Sequence, residues 1–261
     1  MQQRVSPFPS HLAGYRALRD DTSSFAHHFA SVMRTDPRFT GARLLDVGCG
    51  PEGPTHPDKL GRNIYRPILE QARQVDGVEP GFDISKHPYL TERYATTLED
   101  APLESSAYDL IVSFNVLEHV ANPAQFMAKV FGALKPGGAF YATTPHGFHP
   151  FPYCVLLIER LGLKGKVADM EYEGKINRYA TYYRLNTRSQ IRRHAHAAGF
   201  ARATYYPAPC VNWDSYFPRP LKFLPRAFDW LIATRVQAFA QQIMVVLEKA
   251  PLDTRTPGGH A

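Results

Sequence analysis

Between Ala42 and Pro145, short apolar runs alternate with stretches whose apolar residues recur every three or four positions. "ARLLDVG" (42–48) reads as a short buried strand, and "NIYRPILEQAR" (63–73) as a helix with Pro67 near its start. "VDGVEP" (75–80) follows as a second strand, "RYATT" (93–97) as a weak third, and "YDLIVSFNV" (108–116) as a strongly apolar fourth. "PAQFMAKVFGAL" (123–134) is predicted to be a helix with Pro123 at its start. "KPGG" then reads as a turn and "AFYATTP" (139–145) as a fifth strand. This rhythm predicts an α/β chain with a mostly parallel sheet and helices on both faces. The near-continuous apolar character of the fourth strand suits a central position covered on both sides.

The flanks break the rhythm. The first twenty residues read as an irregular lead-in, and "TSSFAHHFASVMRT" (22–35) as an amphipathic helix behind Ser/Thr caps. Its adjacent His27 and His28 diverge in direction, which suits surface positions better than a shared metal. Residues 146–186 look like an insertion. The pattern returns at "NTRSQIRRHAHAAGF" (186–200), where Thr187 and Gln190 have capping-box spacing and Gly199 stops the helix. "FARATYY" and "QQIMVVLEK" supply a sixth and a seventh strand, separated by an aromatic, proline-bearing excursion over 207–239. The expected organisation is a lead-in over 1–40, one domain over 41–250 and a disordered tail over 251–261.

Composition changes this picture little. Of 261 residues, 44% are hydrophobic and 21% charged, ordinary for a globular chain. Three scattered cysteines, Cys49, Cys154 and Cys210, offer neither metal spacing nor a disulfide framework and favour a reducing, cytoplasmic setting. No signal peptide or membrane-spanning run is visible. Charge is uneven. Residues 151–261 carry 16 Lys and Arg against 8 Asp and Glu, a net +8, whereas residues 1–150 carry 14 against 16, a net −2. The basic half suits an anionic substrate, a nucleic acid or a membrane surface, or is simply a solvated face.

The chemistry gathers where strands end. Asp46, Gly48, Cys49 and Gly50 follow the first strand of the alternating region, and glycines there let backbone approach a ligand at the sheet's carboxyl edge. Glu79 ends the next strand, where a carboxylate can accept from both hydroxyls of a ribose. Pro51, Pro54 and Pro57 keep the intervening helix from starting promptly, so the loop is long. Its stretch Pro51–Leu60 is expected to be ordered over the ligand.

In this combination the sequence resembles the class I S-adenosylmethionine (SAM) methyltransferases, most closely the ubiquinone/menaquinone-biosynthesis-like group. "LLDVGCG", "VDGVEP", "TLEDAPLESSAYDLIVSFNVLEHV", "ALKPGGAFYATTP" and "LNTRSQIRRHAHAAGF" resemble the family's motifs in order, over about Gly41–His146 and Arg184–Phe200. The departure is "PEGPTHPDKLG", where Glu52 stands in place of a usual third glycine. The resemblance implies a Rossmann-like seven-stranded sheet with the last strand antiparallel and a lid insertion. It implies SAM as cofactor, with Asp46, Gly48, Cys49 and Gly50 at its amino-acid end and Glu79 on the ribose. Leu98 and Glu99 fall on the adenine side, and Asn115 near the methionyl part.

The acceptor side is read from position. His146 and His149 follow the fifth strand at the cofactor's edge and are candidate bases for a hydroxyl acceptor, or else loop residues shaping the mouth. Glu118-His119 matches the family's "LEH", and His119 is read as a packing residue. Tyr183 and Arg184, in "NRYATYYR", are candidates for orienting the acceptor. Trp213, Tyr216, Phe217, Phe223, Phe228 and Trp230 would cover the substrate, rest on a membrane or pack back onto the domain. "SFNVLEHV" lacks the "NPPY"-like tetrad, which argues against nucleic-acid and protein N-methylation. The expected activity is O-methylation of a small-molecule, sugar or lipid-linked acceptor. N- or C-methylation remains open, as do a nicotinamide-dependent oxidoreductase and a non-catalytic interaction protein of the same fold.

Overall fold

The computed structural model describes residues 2–5, 32–50, 68, 70–162, 179–208, 219–228, 231–232, 236 and 239–252. Eight strands form one sheet: β1 (Gln2–Val5), β2 (Arg43–Val47), β3 (Gln74–Val78), β4 (Arg93–Tyr94), β5 (Tyr108–Phe114), β6 (Leu134–Pro145), β7 (Arg202–Ala208) and β8 (Gln242–Glu248). Their spatial order is β1-β7-β8-β6-β5-β2-β3-β4, and β8 alone runs antiparallel to its neighbours β6 and β7. The seven expected strands are present.

The eighth strand corrects the reading of the N-terminus as wholly irregular. Gln2–Val5 pairs in parallel with Arg202–Tyr205 at the sheet's edge. Four mostly polar residues give no apolar period, and it is the open backbone of β7 that recruits them. "KPGG" also differs from the turn expected of it. It lies within β6, where the register with β5 shifts between Tyr108↔Leu134 and Leu110↔Ala139, so the extra residues form an irregularity inside a paired strand. Of "TSSFAHHFASVMRT" only the helical turn at Val32–Arg34 and the residue after it are described. The loop Pro51–Leu60, most of "NIYRPILEQAR", Arg178, Trp213, Tyr216, Phe217, Trp230 and the tail from 253 lie outside the described residues.

Among the described residues, the helices include α1 (Pro123–Ala133), α2 (Pro150–Arg160), α3 (Arg188–Ala198) and the short α4 (Phe223–Phe228). The Asn122 side chain caps α1 by accepting from Gln125 N, and Pro123 sets its first turn. Thr187 and Gln190 form the capping box of α3, and Gly199 closes it with a left-handed φ of 105°.

Because neighbouring strand residues point to opposite faces, the apolar runs supply two cores. Leu45, Val47 and Ile111 pack with Phe126, Met127 and Ile191 of α1 and α3 on one face. Leu44, Leu110 and Val112 pack with Met33, Phe39 and Ile68 on the other. Each such buried aliphatic side chain contributes about 1.5–3 kcal/mol. The frame matters for function through its order. The chain runs outward from β2 through β3 to β4 on one side and from β5 to β6 on the other. The carboxyl ends of β2 and β5 therefore flank the point where connection order reverses, the position at which open α/β sheets bind ligands.

Candidate cofactor and acceptor site

The turn after β2 is held against its neighbours on both sides. Gly48 N donates to Val78 O at 2.8 Å, bending the loop back over β3. Gly48 has φ +75°, and a Cβ there would stand 2.3 Å from Val116 Cγ2, so only glycine lets the turns after β2 and β5 meet. Gly50, at φ +68°, has no atom of the described residues within 4 Å of a built Cβ. Asp46 and Cys49 are both buried. Burial, with the charges of Asp46 and Glu79 nearby, pushes the Cys49 thiol well up, so it stays protonated and is no nucleophile.

Glu79 lies one residue past β3 and is 3% exposed. Its Oε2 accepts from Gly50 N at 3.1 Å and its Oε1 from Gly81 N at 2.9 Å. Tyr179 Oη also donates to Oε1. That contact needs Gly81, where a Cβ would collide with the Tyr179 hydroxyl. Beyond β4, Leu98 is buried and Glu99 half-buried, with burial raising the Glu99 carboxyl above its ordinary range. On the other side of the reversal, Asn115 takes a left-handed φ of 56° while its N–H donates to Thr143 O at 3.0 Å. Its side-chain Oδ1 is buried without a hydrogen-bond partner among the described residues. Strained backbone and an unsatisfied buried acceptor at one strand end are common marks of a ligand site.

The residues present fit SAM. Glu79 can receive ribose hydroxyls if Tyr179 yields or shares its oxygen, and Asn115 Oδ1 can take a donor. Asp46, Gly48, Cys49, Gly50, Glu79 and Asn115 meet at the carboxyl ends of β2, β3 and β5. Leu98 and Glu99 stand further out on the β4 side.

The acceptor candidates come out differently. His146 is 3% exposed, and its Nδ1 lies 3.2 Å from Ala240 O. A carbonyl can only accept, so the proton sits on Nδ1 and Nε2 keeps the lone pair. Burial lowers its pKa to about 4. It is neutral at physiological pH but a weak base. His149 is fully buried, and its Nδ1 accepts from Phe151 N at 3.1 Å, which engages that nitrogen at the start of α2. Tyr183, at φ 50°, donates its N–H to Glu118 O, as Tyr182 does. Arg184 donates from Nη1 to Ala121 O at 2.6 Å and lies over the Tyr182 ring, so its guanidinium fastens the strap 179–186. His119 packs as expected, its Nδ1 2.9 Å from Ala180 O and its ring 5.7 Å from that of Tyr179.

Two features went unread in the sequence. Tyr179 reaches Glu79 across 100 positions, and neither residue's neighbourhood signals the other. Glu118 is a buried acid whose Oε2 accepts from Thr144 Oγ1 at 3.1 Å, and Thr144 Oγ1 in turn accepts from Asn186 Nδ2 at 2.6 Å. Burial pushes the Glu118 carboxyl up to about 7. An acid set in the apolar run "FNVLEHV" was the available signal.

A glycine turn and a carboxylate at the reversal point of a mostly parallel sheet suit an adenosine-bearing cofactor, and the comparisons place the chain among the class I SAM-dependent methyltransferases. A family model described as "Methyltransferase domain" matches residues 16–204, and the chain belongs to that family. A "Probable S-adenosylmethionine-dependent methyltransferase" of Mycolicibacterium smegmatis is 30% identical over 135 residues, covering 49% of this chain and 48% of that protein. A "Ubiquinone biosynthesis O-methyltransferase" of a Methylobacterium species is 28% identical over 123 residues, covering 45% and 46%. The chain thus matches about half the length of these relatives. A SAM-dependent methyltransferase structure from Mesorhizobium loti superposes with a TM-score of 0.52 at 17% identity, covering 89% of this chain and all of that one, which speaks to the fold.

Proposed function

We propose that the protein transfers the methyl group of SAM to an oxygen of a small-molecule or lipid-linked acceptor. The observation that carries the reading is Glu79, fixed by Gly50 N and Gly81 N at the carboxyl end of β3. Asp46, Gly48, Cys49 and Gly50 would hold the amino-acid end of the cofactor and Glu79 its ribose. Leu98 and Glu99 would flank the adenine. Half-burial disfavours a bare charge on Glu99 and so favours a donor such as an exocyclic amine beside it. Asn115 would lie beside the methionyl part. When bound, SAM supplies a methyl already activated on a sulfonium, so the chain has chiefly to align the acceptor and exclude water.

An oxygen acceptor gains from a base. His146 Nε2 carries a lone pair but holds a proton poorly. Glu118, at about 7, is better matched to neutral pH and sits at the same sheet edge. The relative named for O-methylation in ubiquinone biosynthesis supports oxygen as the acceptor atom. The test is a methyl-transfer screen over hydroxylated acceptors with labelled SAM. Label on oxygen, with turnover falling in Glu118→Gln while SAM affinity holds, is the expected result. Label on nitrogen or carbon, or undiminished turnover in that variant, overturns the oxygen reading or the base respectively.

A further inference from the structure

The apolar stripe of α2 faces outward. Tyr153, Leu157 and Leu161 recur at four-residue intervals on one helical face and are 60%, 58% and 61% exposed, where a core-facing stripe would be buried. A second element shows the same inversion: Phe223 and Leu224 of α4 are 61% and 49% exposed, and Leu231 beyond it 51%. The two elements adjoin. The His149 ring, just before α2, lies 5.2 Å from the Phe228 ring that ends α4, and Phe228 lies 6.2 Å from Phe239.

Both elements leave the carboxyl edge of the sheet. α2 follows the end of β6 at Pro145, the second segment leads into β8 at Gln242, and His146 N donates to Gln241 O at 2.7 Å. The apolar surface therefore rims the acceptor side of the site. Cations lie along its border: exposed Arg160 ends α2 and Lys222 stands among the apolar residues of 219–228, a stretch with three basic residues and no acid, while Glu159 and Asp229 are the neighbouring acids. Outward apolar side chains with basic neighbours match the boundary between acyl chains and anionic headgroups. A nucleic acid would match the cations but leave the leucines exposed.

We infer that this face docks on the surface of an anionic lipid bilayer, placing the mouth of the site where apolar acceptors partition. The inference does not rest on methyl transfer, because docking is read without turnover. The full chain is sedimented with vesicles of phosphatidylcholine alone and with vesicles in which phosphatidylglycerol is mixed. Binding to the mixed vesicles, weakened by salt, is expected. Leu157→Asp and Phe223→Asp should each lower partitioning about tenfold or more, since each puts a charge where an apolar side chain is buried, with Lys222→Glu giving a smaller loss. Unaltered circular dichroism and SAM affinity in these variants separate a docking defect from misfolding and from failure of the cofactor reading. A parent that stays in the supernatant with both vesicle types overturns the inference. So do aspartate variants that bind like the parent, or a patch found buried between two copies by sedimentation velocity or engaged by RNA in place of lipid.

Discussion

The two sides of the sheet reversal solve the burial of polar groups in opposite ways. On the β2–β3 side, the Glu79 carboxylate is hydrogen-bonded locally by backbone donors, Gly50 N and Gly81 N, supplied by turns within reach of one strand end. On the β5–β6 side, Glu118 is met by its own backbone amide and, among the described side chains, by Thr144. It leans on Thr144, which leans on Asn186, and burial leaves the carboxyl half-protonated near neutrality. The first arrangement rests on backbone donors, whereas the second is a chain of side chains from three separate elements. The exposed apolar rim borders the second side.

The comparison is broken most severely at Glu118. Below about pH 4.5 its carboxyl is protonated whether the chain is folded or not, and burial carries no charge penalty. Between 4.5 and about 7 the unfolded chain releases the proton while the folded chain keeps it. Stability therefore falls as pH rises through this window, by about 3 kcal/mol in all. His146 acts with the opposite sign: its pKa of about 4 means stability is lost as pH falls from about 6.5 toward 4. The two trends nearly cancel in the parent, so the difference between parent and Glu118→Gln isolates the acid. Urea unfolding should show the variant equal to the parent near about pH 4 and more stable by about that amount near about pH 8. Equal curves at both values would mean the buried carboxyl carries no such penalty.

Tyr179 sharpens the comparison with a smaller effect, because it brings the strap onto the cofactor side. Its hydroxyl takes an acceptor position on Glu79 that a ribose hydroxyl would need in the proposed binding mode. Tyr179→Phe should tighten SAM by about threefold to tenfold, the worth of one hydrogen bond no longer displaced. Weaker binding in this variant would show that the hydroxyl assists the cofactor instead of competing with it.

What could be read from the chain follows the same division. The Gly48–Gly50 turn, Glu79 and the Thr187–Gln190 capping box are encoded within a few residues of where they act, and each left a local pattern. The pairing of Gln2–Val5 with β7, the reach of Tyr179 to Glu79 and the Glu118–Thr144–Asn186 chain join residues far apart, and no period or spacing records them. His149 shows a subtler limit. Its position beside the site was readable, but which ring nitrogen holds the lone pair depends on Phe151 N, a fact of geometry.

The proposed binding of SAM by the β2–β3 side through Glu79, independently of the acceptor side, is tested most directly by calorimetric titration with SAM. The parent should bind SAM without added metal. Glu79→Ala, which strands the Gly50 and Gly81 amides and the Tyr179 hydroxyl together with the ribose, should lose about a hundredfold in affinity. Glu118→Gln should bind SAM like the parent. Unchanged affinity in Glu79→Ala, or a parent that binds a nicotinamide dinucleotide in place of SAM, would contradict the account.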